Sequence, residues 1–341
     1  MKLKSQSREL SMSLVVRSGF SRWVRQRHPG QACIITFHGL RDDAKTEVAP
    51  LLDTAMHVPV SMFRQACEHL AEYYHVVSLG TITEAHLHHR PLAAGTVALT
   101  FDDGYASNYH LAFPVLREFG LPATIFAATG FLDRTERLWF HRLELALLRT
   151  PLTSLSLTLA DQDFSLQLES HEARQIAYSQ LVPLFKNLAQ EQVSGVLTHL
   201  ENELQVETSW PVDEVPDPLI PLSWDQARAM QASGLIEFGG HTHTHPILGR
   251  CSPDQQREEI FTGQRRLTEE LGRSPTLFAY PNGKVGDYDV ATQALLQQAG
   301  FKAGFTMEPG MFSAQSDLPF DVPRYGNPTS LNEMETKIGR A

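Results

Sequence analysis

Two short segments hold the residues whose types and spacing could do chemistry. In Leu99-Thr-Phe-Asp-Asp-Gly-Tyr105, adjacent carboxylates stand where an apolar run meets a glycine turn. Neighbouring acids repel, and that cost is offset when one binds a cation while the other hydrogen-bonds a reacting water. Taken alone, an Asp-Asp-Gly triplet is more often a solvated turn. The second segment, Gly239-Gly-His-Thr-His-Thr-His-Pro246, alternates three histidines. His241 and His245 stand at i and i+4, which brings both rings to one side if the chain turns helically there. Two imidazoles and a carboxylate make the ligand set of an open catalytic site for zinc or another first-row metal. A lone histidine is usually structural, but this cluster together with an acidic strand end points to metal binding.

Both segments follow apolar runs that read as buried strands: Cys33 to Phe37, Val76 to Leu79, Val97 to Phe101, Ala123 to Ala127, Ile236 to Phe238 and Leu277 to Tyr280. Helical spacing fills the stretches between, at 61–74, 106–119, 223–233, 253–271 and 289–299. Alternating strands and helices imply a mainly parallel sheet, open or closed into a barrel, with its chemistry at the carboxyl ends of the strands. His38, the Asp102–Asp103 pair and the histidine cluster all fall at such ends. Residues 131–221 interrupt the rhythm. They read as a mostly helical insertion closed by an acidic, proline-spaced linker, and its segment from Leu138 to Leu147 could pack over the mouth of the barrel.

The bulk composition narrows the partners. With 42% apolar and 20% charged residues the chain is an ordinary folded protein, and a net charge of −10 argues against nucleic acid. A neutral sugar polymer suits that charge. Three cysteines without CxxC spacing indicate neither a disulfide framework nor a zinc ribbon. Residues 1–30 lack an apolar run of the roughly 7 to 15 residues a secretory signal needs, so a cytoplasmic protein is expected. Leu10, Leu14, Phe20, Trp23 and Val24 alternate there with five arginines. That pattern suits a helix packed on the domain or, as the second choice, peripheral contact with a membrane surface.

Thr100-Phe-Asp-Asp-Gly-Tyr105 together with His241-Thr-His-Thr-His245-Pro246 resembles the NodB-homology polysaccharide deacetylases. The likeness covers about residues 32–130 and 222–328, with Gly300 to Thr306 also in keeping with it. It implies an incomplete (β/α)7 barrel split into 31–130 and 222–328, with residues 329–341 as a tail. It further implies one divalent metal, zinc by preference with cobalt, nickel or iron as alternatives, held by Asp103, His241 and His245. Asp102 would then be the general base, and the backbone N–H of Tyr105 would face the oxyanion. The substrate so implied is a carbohydrate bearing N-acetyl groups.

The chain departs from the family pattern in two places. Phe278-Ala-Tyr-Pro-Asn-Gly283 carries Ala279 where the family has the arginine that orients the base. Arg324, in Val322-Pro-Arg-Tyr325, could hold Asp102 instead, or could equally be a surface or substrate contact. The family's late histidine, source of the general acid, is absent, since His245 is the last histidine. Ile35-Thr-Phe-His38-Gly39 resembles the early motif of the branch acting on poly-N-acetylglucosamine, which makes His38 the expected acid. Tyr280 and Asn282 could line the sugar site, or could equally support the loop. Other readings are a deformylase or amidase of lipid-linked or small amides, and an inactive carbohydrate-binding relative.

Overall fold

The computed structural model describes residues 30–43, 51–207, 215–313 and 319–339. The expected amphipathic segment before Gly30 therefore lies outside the described residues. Among the described residues twelve strands form: β1 Gln31–Phe37, β2 Gly39–Arg41, β3 His57–Pro59, β4 His75–Val76, β5 Thr96–Phe101, β6 Ala123–Ala127, β7 Ser154–Leu159, β8 Gln162–Gln167, β9 Ile236–Gly240, β10 Leu277–Ala279, β11 Ala303–Phe305 and β12 Phe312–Ser313. The main sheet runs β11-β10-β9-β6-β5-β1-β12, with β4 also on β5. All its pairings are parallel except that of β12. The expected strand from Val76 to Leu79 is cut short because Ser78 caps the helix Leu79–Leu87, its hydroxyl accepting from Thr81 N.

The long apolar strands are buried on both faces, as parallel strands flanked by helices must be. In β1, Cys33, Ile35 and Phe37 join the outer core with Val97, Leu99 and Phe101 of β5. Ala32 and Ile34 face the opposite way, into a second core with Ala98, Phe126, Phe305 and Val322. The gap between β11 and β1 is bridged by irregular chain rather than by a strand. Thr306 N donates to Val322 O at 2.9 Å on one side, and Thr36 N to Tyr325 O at 2.8 Å on the other. This crossing carries Arg324 between the two edges, where the side chain is fully buried.

The insertion carries one antiparallel hairpin among its helices. The antiparallel hairpin β7–β8, turned by Ala160 and Asp161 in left-handed conformation, joins the helix Trp139–Arg149 to the helix His171–Asn187, and the helix Gln190–Glu203 follows directly. These elements bury a core of their own, including Leu143, Leu166, Leu181, Phe185 and Leu197. Leu52 belongs to that core too, so the insertion is fastened to the loop that follows β2. Glu144 Oε1 accepts hydrogen bonds from Leu52 N and Asp53 N.

Close packing reaches the strand that delivers the histidines. A Cβ on Gly239 would stand 2.5 Å from the Phe126 ring and 2.8 Å from Leu277 O. Gly239→Ala is expected to destabilise the protein by about 1–3 kcal/mol, measured as a lower urea midpoint. An unchanged midpoint would contradict the close approach.

Candidate metal centre

At the end of β5 the chain turns sharply, with Asp103 at φ 72° and Gly104 at φ 91°. Asp102 N still bonds Phe37 O, at 2.9 Å, so the sheet holds the first acid while the left-handed turn sends the second another way. Both side chains are buried, at 2% and 1% exposure. Each meets a different answer to its charge.

Asp102 is held by Arg324, whose Nη1 and Nη2 donate to Oδ1 and Oδ2 at 2.8 Å each. The guanidinium is itself fixed by Nε donating to Thr306 O at 2.9 Å, and it lies 5.3 Å from the centre of the Phe126 ring. Its full burial removes the alternative of a surface arginine. Burial opposes ionisation of Asp102, but Arg324, helped by His241, prevails and holds the carboxyl below its ordinary pKa.

Asp103 has no such partner. Neither of its carboxylate oxygens is hydrogen-bonded among the described residues. Its Oδ1 instead faces His241 Nε2 at 3.4 Å and His245 Nε2 at 3.2 Å. Ligand atoms of Asp103, His241 and His245 all lie within 4.8 Å of one another. Burial opposes ionisation here as well, and it is the two facing rings in their protonated form, donating from Nε2, that would hold the carboxyl well below its usual range when no cation is bound. A buried, ionised carboxylate without a hydrogen bond, facing two ring nitrogens, is the donor set a small divalent cation takes.

The histidines converge without a helix. Residues 241–247 are irregular, and Thr242 and His245 adopt left-handed φ values of 67° and 64°. The expected helical turn is thus replaced by a loop clamped from outside. Glu259, on the helix Pro253–Leu271, accepts from His243 N and Thr244 N at 2.8 Å each and from Thr244 Oγ1 at 2.6 Å. The middle histidine turns away from the cluster, its Nδ1 2.8 Å from Thr129 Oγ1. His241 Nδ1 lies 2.7 Å from Ala279 O, and since a carbonyl can only accept, Nδ1 carries a proton, so that in the neutral ring it is the Nε2 lone pair that faces Asp103. Burial pushes the His245 pKa down, which favours the neutral ring a ligand needs.

A cavity of about 250 Å³ opens above this cluster, lined by His38, Asp102, Asp103, His241 and His245 among others. His38 Nδ1 lies 3.4 Å from Asn327 Oδ1, and the His38 carbonyl accepts from Asn108 Nδ2 at 2.8 Å. The Tyr105 side chain is fully buried, its hydroxyl 2.8 Å from Nε2 of His141, a ring whose pKa burial has lowered to about 3. The sugar-lining role expected of Tyr280 is not met. Its ring is fully buried, stacked on Tyr288 at 3.9 Å, with its hydroxyl donating to Phe320 O at 2.9 Å. Asn282 does line the cavity, but its amide is engaged by Lys186 and Asp287. Trp139 and Phe140, in the segment expected over the mouth, do line the cavity, whereas sequence reasoning missed Glu259, Asn327 and the cavity-lining Tyr178 and Lys186. Glu259 sits in a run of charged helix residues with no local mark to separate it from its neighbours.

Comparisons with known proteins bear on the family and the fold. The family described as polysaccharide deacetylase matches residues 89–304. The poly-beta-1,6-N-acetyl-D-glucosamine N-deacetylase of Escherichia coli is 38% identical over 97 residues, which are 28% of this chain and only 13% of that protein. YxkH of Bacillus subtilis, whose name places it provisionally among polysaccharide deacetylases, is 30% identical over 303 residues, 87% of this chain and 72% of its own. In fold, the structure of IcaB from Ammonifex degensii superposes with a TM-score of 0.57 at 19% identity, covering 91% of this chain and 97% of that one.

Replacing Arg324 by Met would strand a buried carboxylate. Because the folded-state pKa of Asp102 is depressed, the pair's contribution is complete above the unfolded Asp value of about 3.9 and fades as pH falls through the lower folded value. In chelator-treated protein Arg324→Met is expected to cost about 3–5 kcal/mol at pH 7, with the gap to wild type narrowing below about pH 4. Denaturant titrations at both pH values check it, and an equal loss at each would contradict the pairing.

Proposed function

This chain belongs to the polysaccharide deacetylase family, and from that premise we propose that it hydrolyses N-acetyl groups from N-acetylhexosamine units, releasing acetate. The observation that carries the reading is the division of labour between adjacent acids, one paired with Arg324 and the other left facing two imidazoles.

In the proposed mechanism Asp103, His241 and His245 hold one divalent cation, zinc being the first choice for two imidazoles and a carboxylate, with cobalt, nickel or iron compatible. When bound, the cation would acidify a water and polarise the acetyl carbonyl. Asp102 takes the proton from the attacking water. Its two hydrogen bonds from Arg324 keep it ionised and aimed, so the arginine positions the base from the far side of the carboxylate. The backbone N–H of Tyr105 supports the developing oxyanion. His38, across the same cavity, gives a proton to the departing amine, so the C–N bond breaks as water becomes the carboxyl oxygen of acetate. Asn327 beside His38 Nδ1 fixes the ring for that transfer.

Among the described residues no helix is long and apolar enough to cross a membrane.

Acetate release from N-acetylglucosamine oligomers tests the reading. Activity is expected to vanish on chelation and return with added metal. Asp102→Asn should lower kcat by about 10²–10⁴-fold while leaving bound metal in place. Full turnover in that variant would remove Asp102 from the mechanism. Glu259→Gln, which loosens the histidine loop, should weaken metal affinity by about 10–100-fold, read by competition with a chelating dye. Unaltered affinity would show that the loop needs no clamp.

A further inference from the structure

The insertion is fastened to the barrel's rim on both sides of the strand it leaves. It follows β6, which in the sheet order has β9 and β10 on one hand and β5 and β1 on the other. Toward β1 it grips the loop between β2 and β3, where Glu144 accepts from Leu52 N and Asp53 N and Gln175 Nε2 donates to Leu52 O at 3.4 Å. Toward β10 it is held by Lys186, near the end of the helix His171–Asn187, whose Nζ donates to Asn282 Oδ1 at 2.6 Å.

Between these anchors the insertion comes down on the site itself. The Phe140 ring centre is 5.4 Å from that of His245, and Trp139 stacks on Phe185 at 5.9 Å, tying the helix Trp139–Arg149 to the helix His171–Asn187. Trp139 and Phe140 line the catalytic cavity together with Tyr178, Val182 and Lys186, which form one stripe at i, i+4 and i+8 on the second helix. The two helices share an apolar core, so this wall is a packed body and not a loose loop. On other sides the lining includes Met56, before β3, and Met307, after β11.

A polymer that passes through a site needs two open ends, one for the units on either side of the reacting sugar. Here the insertion stands across one of them. The cavity's volume of about 250 Å³ lies below the roughly 300–1,000 Å³ of ordinary ligand clefts, which suits one sugar unit and not a row of them. We propose that the reacting sugar is a terminal unit, joined to the rest of its glycan at one position only, and that the insertion is the wall that excludes a second neighbour. The inference rests on the deacetylase reading and narrows its substrate to chain ends and short glycans.

The test uses metal-loaded protein and end-labelled N-acetylglucosamine oligomers from dimer to hexamer, with the deacetylated position read by mass-spectrometric sequencing. Wild type is expected to remove one acetate per chain, at a chain end, with kcat/KM per chain changing by less than about threefold across the series. Acetates lost from internal units, or kcat/KM rising by more than about tenfold with length, would overturn the proposal. Cutting the wall back in Tyr178→Ala/Val182→Ala/Lys186→Ala should admit internal units, so that a second acetate leaves each hexamer. Strictly terminal release by that variant would overturn the role given to the insertion. Acetate release from no oligomer would fault the deacetylase reading, and calorimetry on metal-loaded Asp102→Asn protein then decides the pocket separately. Equal affinity for dimer and hexamer sustains a single-unit pocket, whereas affinity that grows by more than about tenfold with length, or binding of neither, overturns it.

Discussion

Two ionised carboxylates on successive residues, both buried, carry a desolvation and repulsion cost that a fold does not bear without compensation. Asp102 and Asp103 are such a pair, and much of the barrel's mouth is arranged around them. The left-handed turn at Asp103 and Gly104 sends the two acids toward different neighbours. One then finds a fork of two parallel N–H donors and the other a pair of ring nitrogens. The difference matters chemically, because a carboxylate held by arginine keeps its lone pairs directed and a carboxylate without hydrogen bonds keeps them free for a cation.

The rest of the site follows from holding those partners still. Arg324 reaches the interior because the chain from Val322 to Tyr325 hydrogen-bonds to both edges of the sheet, stitching β11 to β1 where no strand closes the barrel. The irregular closure is therefore also the element that delivers the base's counter-charge. His241 and His245 converge through two left-handed residues, and the carboxylate of Glu259, gripping two backbone N–H groups and a hydroxyl, keeps that strained loop in shape. The insertion, with its own apolar core, fastens the loop carrying Asp53 and lays a helix along the cavity.

Much of this was legible in the sequence, for identifiable reasons. The strands Ala123–Ala127 and Thr96–Phe101 were plain because parallel strands buried on both faces read as unbroken apolar runs. The Asp-Asp-Gly and His-Thr-His-Thr-His segments were plain because their chemistry is local in sequence. Arg324 was found as a candidate, but its choice between base and surface depended on a contact 222 residues away in the chain. The hairpin β7–β8 was missed although Leu155, Leu157 and Leu159 alternate with Ser and Thr, since the helical leucine pattern around it dominated the reading. Tyr280 was offered for the sugar because aromatic rings stack on pyranose faces, a property of the residue type that leaves the ring's direction open. Packing against Tyr288 turned it inward. Glu259 and Lys186 leave no local mark, because what each does is set only by the loop it meets in three dimensions.

The central claim is that Asp103, with His241 and His245, is the seat of a cation rather than a buried ion pair of carboxylate and imidazolium. Titration of chelator-stripped protein with Zn²⁺, followed by calorimetry for wild type and Asp103→Asn, tests it most directly. The account predicts about one site per chain in wild type and its loss in the variant. No binding to wild type, or equal binding to both proteins, would contradict it.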